Sequence, residues 1–253
     1  MLKVENLSCG YDGKTILHQV SFQLEKGQNL CILGANGCGK TTLLKAVGGL
    51  LPYEGSIRLC NQEIKDISAW ELGKEMAILS QNTNVYFSYS VYDTVMLGRY
   101  VKLPKNVFAR IEETHHEYVM YCLEAVGIIG LKDREIGTLS GGQMQKVLLA
   151  RTLAQEPKII LLDEPSNHLD VKSQMELFEF LEEWSSDGEH SVIGVLHDVS
   201  TAFHFFQKGL FLREGQVTYL GNMNQVKREQ LSQTYGFDVI HYIKALQESL
   251  EGL

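Results

Sequence analysis

Three short stretches hold the residues best able to do chemistry. In Gly34-Ala35-Asn36-Gly37-Cys38-Gly39-Lys40-Thr41-Thr42, glycines alternate with small side chains and lead into a lysine and paired hydroxyls. Glycines let successive backbone N–H groups turn toward a single anion. Lys40 adds a mobile cation for the outer phosphates, and the Thr41 hydroxyl can ligate Mg²⁺. The spacing matches G-x-x-x-x-G-K-[ST] at every position and follows an apolar strand-like run, the context this phosphate cradle requires. A nucleoside triphosphate, ATP with Mg²⁺, is the expected ligand, held by Gly34, Asn36, Gly37, Cys38, Gly39, Lys40, Thr41 and Thr42. Cys38 stands near a cation and a helix N-terminus, two features that depress a thiol pKa, so it reads either as a reactive thiol or as an inert small residue where Ser or Ala would serve.

The second stretch, Ile159-Ile160-Leu161-Leu162-Asp163-Glu164-Pro165, is an apolar run ending in two acids. A run of this kind suits a strand buried in a parallel sheet, and ligands of open α/β sheets bind at the carboxyl ends of strands. Asp163 is therefore expected to face the metal, with Glu164 free to polarise a water as general base. In the third, Leu139-Ser140-Gly141-Gly142-Gln143, Ser140 and Gln143 have the spacing of a capping box at a helix start. The two glycines also leave outward N–H groups, which make an anion site. Both readings can hold at once.

The elements that must position these residues follow from hydrophobic periodicity. Asn29 to Leu33 reads as a buried strand, Lys40 to Gly48 as a helix, and Ser56 to Cys60 as a half-buried strand. Residues 89 to 156 lack strand-like runs, and Phe108 to Ala125 has helical spacing. Strand-like runs return at Ile159 to Leu162 and Ser191 to Leu196, separated by a helical Ser173 to Trp184. That alternation predicts an α/β fold with a mostly parallel sheet and a helical insertion. The tail, Asn224 to Leu253, reads as one or two helices.

A net charge of −8 argues against nucleic acid as a main ligand, because backbone binding needs clustered cations. No run is long and apolar enough for a membrane span, and the N-terminus has no apolar core of signal-peptide length. Five cysteines without C-x-x-C spacing point to a reduced, cytoplasmic chain.

Taken together, Ser140-Gly141-Gly142-Gln143 shortly before the apolar-Asp-Glu strand, with the phosphate loop upstream, resembles the ATP-binding-cassette ATPases over roughly residues 2 to 222. The resemblance implies a P-loop NTPase core, an N-terminal antiparallel β subdomain and a helical subdomain within one domain spanning 1–253. It divides that domain into a core of about 1–88 and 157–222, a helical part of about 89–156 and an extension from about 223. It implies two copies pairing head to tail, each ATP lying between one copy's phosphate loop and the other's Ser140, Gly142 and Gln143. By position, Tyr11 matches the aromatic that stacks on adenine, Gln81 the glutamine that senses Mg²⁺, and His197 the switch histidine at the γ-phosphate. Ser166-Asn167-His168-Leu169-Asp170 resembles the dimer-contacting loop, with Ser166 where Thr is usual, and Lys146 stands where Arg is commoner.

Residues 90 to 99, Ser-Val-Tyr-Asp-Thr-Val-Met-Leu-Gly-Arg, are similar to the iron-siderophore, haem and cobalamin importer branch. Ala150 to Gln155 and Asp170 to Gln174 are similar to it as well. The implied partners are integral membrane permease subunits and, through them, a substrate-binding protein, with the chain peripheral on the inner face of the cell membrane. An importer or exporter subunit for another substrate and a soluble non-transport ATPase are the alternatives. The transported molecule is chosen by other subunits.

Overall fold

The structure is a computed structural model and describes residues 1–80, 88–103, 112–166 and 169–251. The first elements are β1 (Leu2–Tyr11), β2 (Lys14–Leu24), β3 (Leu30–Gly34), α1 (Lys40–Val47), β4 (Glu54–Leu59) and β5 (Gln62–Glu63). Next come α2 (Ala69–Glu75), β6 (Met76–Ser80), α3 (Val91–Arg99), α4 (Glu113–Ala125), α5 (Gly141–Leu153), β7 (Ile159–Asp163) and α6 (Val171–Ser185). They are followed by β8 (Ser191–Val195), α7 (Val199–Phe205), β9 (Lys208–Arg213), β10 (Gln216–Asn222), α8 (Arg228–Tyr235) and α9 (Val239–Glu251). Two compact units result, Met1–Glu63 with Ile193–Leu253, and Ile64–Val192. No helix among the described residues is long and apolar enough to cross a membrane.

The first unit contains an antiparallel sheet in the order β2-β1-β4-β5. Along β1, Leu2, Val4, Leu7 and Cys9 are buried, so one face of this strand serves as core. The β1–β2 connection is Asp12-Gly13, both with positive φ (50° and 77°), the two-residue turn whose twist suits a hairpin. In the same unit β3 lies parallel between β9 and β8, and β10 pairs antiparallel with β9. Every residue of β3 is buried, the signature of a parallel strand covered on both faces. The antiparallel sheet and the mostly parallel one both match expectation. The half-buried strand begins earlier than its alternation suggested, at Glu54, and ends at Leu59 because Cys60 and Asn61 turn with φ of 49° and 67°.

In the second unit β6 and β7 pair in parallel from Met76↔Ile159 to Ser80↔Asp163. Around them stand helices, as expected for the insertion. α4 begins at Glu113, and residues 108–111 of the expected helical segment lie outside the described residues. α6 starts before the expected Ser173 because the Asp170 carboxylate accepts from the Ser173 N–H at 2.7 Å, capping the helix.

The Gly98-Arg99 pair has a packing explanation. A Cβ on Gly98 would sit 2.2 Å from the Arg151 carbonyl oxygen and 2.9 Å from the Ala154 Cβ, so α3 rests with bare backbone on α5. Arg99, only 6% exposed, donates to the Ala154 carbonyl at 2.9 Å, to Glu156 Oε1 at 2.7 Å and to His115 Nδ1 at 3.2 Å. Its guanidinium also lies over the Tyr118 ring at 4.5 Å. A cation there offsets the negative carboxyl end of α5, so the pair locks α3 and α4 to α5. Gly98→Ala should therefore destabilise the protein by about 1–3 kcal/mol through overpacking against rigid backbone. Urea denaturation checks this, and an unchanged midpoint would contradict the packing account.

Candidate functional site

The phosphate loop is built by β3 and α1 within the first unit. Gly34 leaves β3 with φ 154°, and a Cβ there would meet the Leu212 carbonyl oxygen at 2.3 Å and Cys38 Sγ at 2.6 Å. Gly37 (φ 76°) and Gly39 (φ 107°) hold the left-handed turns that wrap the loop back onto itself. Gly39 stands at the N-cap of α1 and makes no side-chain hydrogen bond, so the positive end of the helix faces the loop without a side-chain cap. Lys40, 5% exposed, donates from Nζ to the carbonyls of Gly34 at 2.9 Å and Ala35 at 3.2 Å. An ammonium has three donors, so one remains for an anion even with both carbonyls held. Thr41 follows at the first turn of α1 and is half-buried, and Thr42 is buried.

Two neighbouring segments hold this loop in shape. Glu214-Gly215, with φ of 49° and 76°, makes the tight turn between β9 and β10. The Gly215 N–H donates to the Cys38 carbonyl at 3.0 Å, and the Gly215 carbonyl accepts from the His18 N–H of β2 at 2.9 Å. The fit is tight enough that a Cβ on Gly215 would lie 1.8 Å from the Ile16 carbonyl oxygen. Leu17 of β2 presses on the other side, 2.6 Å from where a Cβ on Gly39 would be. Gly215, Leu17 and His18 are functional supports that sequence reasoning missed. The only local signal was Glu-Gly between two apolar alternations, a turn with nothing to tie it to a loop 176 positions earlier.

Elsewhere in this unit, the Leu196 N–H donates to the Ile32 carbonyl at 3.3 Å, which carries the end of β8 along β3. His197 follows as an exposed residue at that carboxyl end, as expected of a strand-end group. Asp198 caps α7 through the Ser200 and Thr201 N–H groups at 3.2 and 2.8 Å. Tyr11 ends β1 at the hairpin turn and is 40% exposed, so its ring face is open to a partner.

The second unit carries the acids and the glycine-rich helix start. Asp163 is the last residue of β7, opposite Ser80 at the end of β6. Glu164 follows with φ 53°, a left-handed conformation uncommon for a residue with a side chain and typical of positions under functional constraint. Gln81, directly after β6, and Asn167 and His168 lie outside the described residues. Ser140 and Gln143 make the reciprocal capping box at the start of α5. Ser140 Oγ accepts from the Gln143 N–H at 3.3 Å, and Gln143 Oε1 accepts from the Ser140 N–H at 3.1 Å. Gly142 lies close to α6, since a Cβ there would meet Ser173 Oγ at 2.9 Å. Lys146 pairs with Glu176 at 2.8 Å and, through that hydrogen bond, holds the Glu176 carboxyl below its usual range.

Burial favours the inert reading of Cys38. It is 6% exposed, and burial raises its thiol pKa. The opposing pull of Lys40 and nearby backbone hydrogen bonds is smaller. The local sequence showed the cation and the helix start but not the burial, and burial wins. Cys60 is the exposed cysteine. Brief maleimide treatment of the native protein at neutral pH should modify Cys60 and spare Cys38 with or without ATP, as read by peptide mass mapping. Fast, ATP-protected labelling of Cys38 would contradict this.

Comparison with known proteins agrees with this geometry. The family model for ABC transporters matches residues 17–167. The ferric enterobactin transport ATP-binding protein FepC of Escherichia coli K12 is 34% identical over 237 residues, covering 93% of this chain and 87% of FepC. Among solved structures, an ABC transporter assigned to the metal-chelate type, in an inward-facing conformation, superposes with a TM-score of 0.80 at 31% identity, covering 92% of this chain and 87% of that one. The dimeric ATP-binding cassette MJ0796, bound to ADP and Pi after hydrolysis, superposes with a TM-score of 0.76 at 27% identity, covering 88% of this chain and 99% of that one. With a phosphate loop on β3, a capped Ser-Gly-Gly-Gln helix start and an acid pair at the end of β7, the chain belongs to the ABC transporter family as an ATP-binding cassette.

Proposed function

We propose that this chain is the ATP-hydrolysing subunit of an importer for a metal chelate such as iron-siderophore, haem or cobalamin. The observation that carries the nucleotide part is the preformed loop, with the start of α1, which has no side-chain cap, and Lys40 converging at the end of β3. Support for the cargo is the relation to FepC and to the metal-chelate type transporter, together with the Gly98-Arg99 run.

In this reading Tyr11 stacks on the adenine, and Gly34 to Thr42 hold the phosphates. Mg²⁺ enters with the triphosphate. No cluster of three or more metal-ligating side chains occurs among the described residues, which fits an ion that Mg²⁺-nucleotide sites bind mainly through phosphates and waters. Thr41, Asp163 and Gln81 are the oxygen donors assigned to it, and the ion would offset charge on the transferring phosphoryl group. Glu164 takes the proton of the attacking water, and His197 donates to the γ-phosphate.

Ser140, Gly142 and Gln143 serve the nucleotide of a second copy. The dimeric state of MJ0796 supports this pairing. A γ-phosphate held by both copies closes the dimer, and its removal reopens it, because the ligand contacts differ between the two states. Permease subunits receive that motion on the inner face of the membrane, and a substrate-binding protein delivers the cargo to them.

The test is reconstitution in proteoliposomes with the membrane subunits that copurify with the chain. Wild-type protein should drive ATP-dependent uptake of a ferric chelate. Glu164→Gln should keep ATP binding, lower kcat by about 10²–10⁴-fold, as expected for loss of a general base, and abolish uptake. Normal turnover by the variant would remove Glu164 from its role. Uptake of an unrelated solute, with none of a chelate, would overturn the cargo assignment.

A further inference from the structure

The second unit contains a cavity to which the motifs assign nothing. It lies among α4, α5 and α6 and has a volume of about 290 Å³, close to the lower end of the range for small-molecule sites. All three helices supply apolar lining: Val126 just past α4, Leu149 of α5, and Leu177 and Phe180 of α6. Val126, Leu149 and Leu177 are buried. Phe180 is half-buried, so part of its ring is left uncovered by the protein.

One group in the lining is unsatisfied. Gln145 borders the cavity from α5, and its Nε2 is buried with no hydrogen-bond partner among the described residues. A buried donor without an acceptor is costly, and such a group calls for an explanation in a native structure. The surrounding charges restrict which acceptor can serve. Lys146 is held by Glu176 at 2.8 Å, and Glu124 adds a second carboxylate to the lining. Lys172 also approaches Glu176, at 3.7 Å, but its side chain is 86% exposed and stands outside the lining. α4 ends here with its negative pole, where Gly127 turns left-handed (φ 72°) and its N–H closes on the Glu124 carbonyl at 2.9 Å. Two carboxylates and a helix C-terminus against one lysine disfavour an anion, which leaves a neutral acceptor.

We propose that this cavity is a binding site for a small aromatic carboxamide. A carboxamide sets a carbonyl acceptor beside an N–H donor, the complement of the Gln145 side-chain amide, so one ligand meets both of its groups. The body of the ligand is buried on Val126, Leu149 and Leu177, and an aromatic body adds a ring contact with Phe180. None of these residues belongs to the phosphate loop, so the site is additional to the ATP-binding reading and does not depend on it.

The test titrates benzamide into the full-length chain and follows the Gln145 side-chain NH₂ resonances, assigned by their loss in Gln145→Leu. They should shift saturably with a Kd of about 0.1–1 mM, as expected for a ligand of this size. Benzoate, similar in shape but anionic, should bind at least about tenfold more weakly. Gln145→Leu removes the amide at similar volume. Its Kd for benzamide, read from ligand signals, should rise about tenfold, with a melting temperature unchanged or higher because a buried unpartnered donor is gone. Phe180→Leu, at a half-buried position, should weaken binding about two- to tenfold while the Gln145 resonances still shift. No saturation by about 10 mM benzamide in the wild-type chain, equal affinity for benzoate, or undiminished binding by either variant overturns the proposal.

Discussion

The hydrogen bond from the Gly215 N–H to the Cys38 carbonyl is the constraint on which the phosphate loop depends. A loop that aims backbone N–H groups at an anion must hold like dipoles together, an arrangement that does not persist without outside support. Here the support comes from two places in the same unit. The β9–β10 turn grips Cys38 and β2 at once, and Leu17 backs Gly39. The antiparallel sheet, which carries Tyr11, thereby helps to shape the site. Backbone carbonyls beside Gly34 and Gly215 and the Leu17 side chain beside Gly39 leave no room for a Cβ at these positions.

Lys40 illustrates the energetic balance inside that frame. A buried ammonium is expensive unless it is hydrogen-bonded, and the two loop carbonyls meet that need. In the second unit the same logic applies to Arg99, whose charge is compensated by a helix end and Glu156. Buried cations in both units are thus placed by carbonyl groups at the ends of elements.

Legibility in the sequence followed the range of the interaction. The loop from Gly34 to Thr42, the capping box at Ser140 and Gln143, and the strand ending at Asp163 are contiguous, and their local geometry was readable from residue type and spacing. Fold class was readable for the same reason, since periodicity separates strands from helices. Gly215 and Leu17 were not readable, because each acts on the loop from a distant part of the chain. The two readings of Cys38 stayed open because its cation and its helix start are local while its burial is tertiary. Helix α6 began earlier than periodicity suggested because a single side chain, Asp170, caps it.

The claim that a preformed clamp holds the loop is tested most directly by native-state amide hydrogen exchange at Gly215. The account predicts that this amide, though in an exposed-looking turn, exchanges as slowly as the amides of β3, because its opening requires the loop and β2 to separate. Exchange at the rate of an unprotected turn would contradict it.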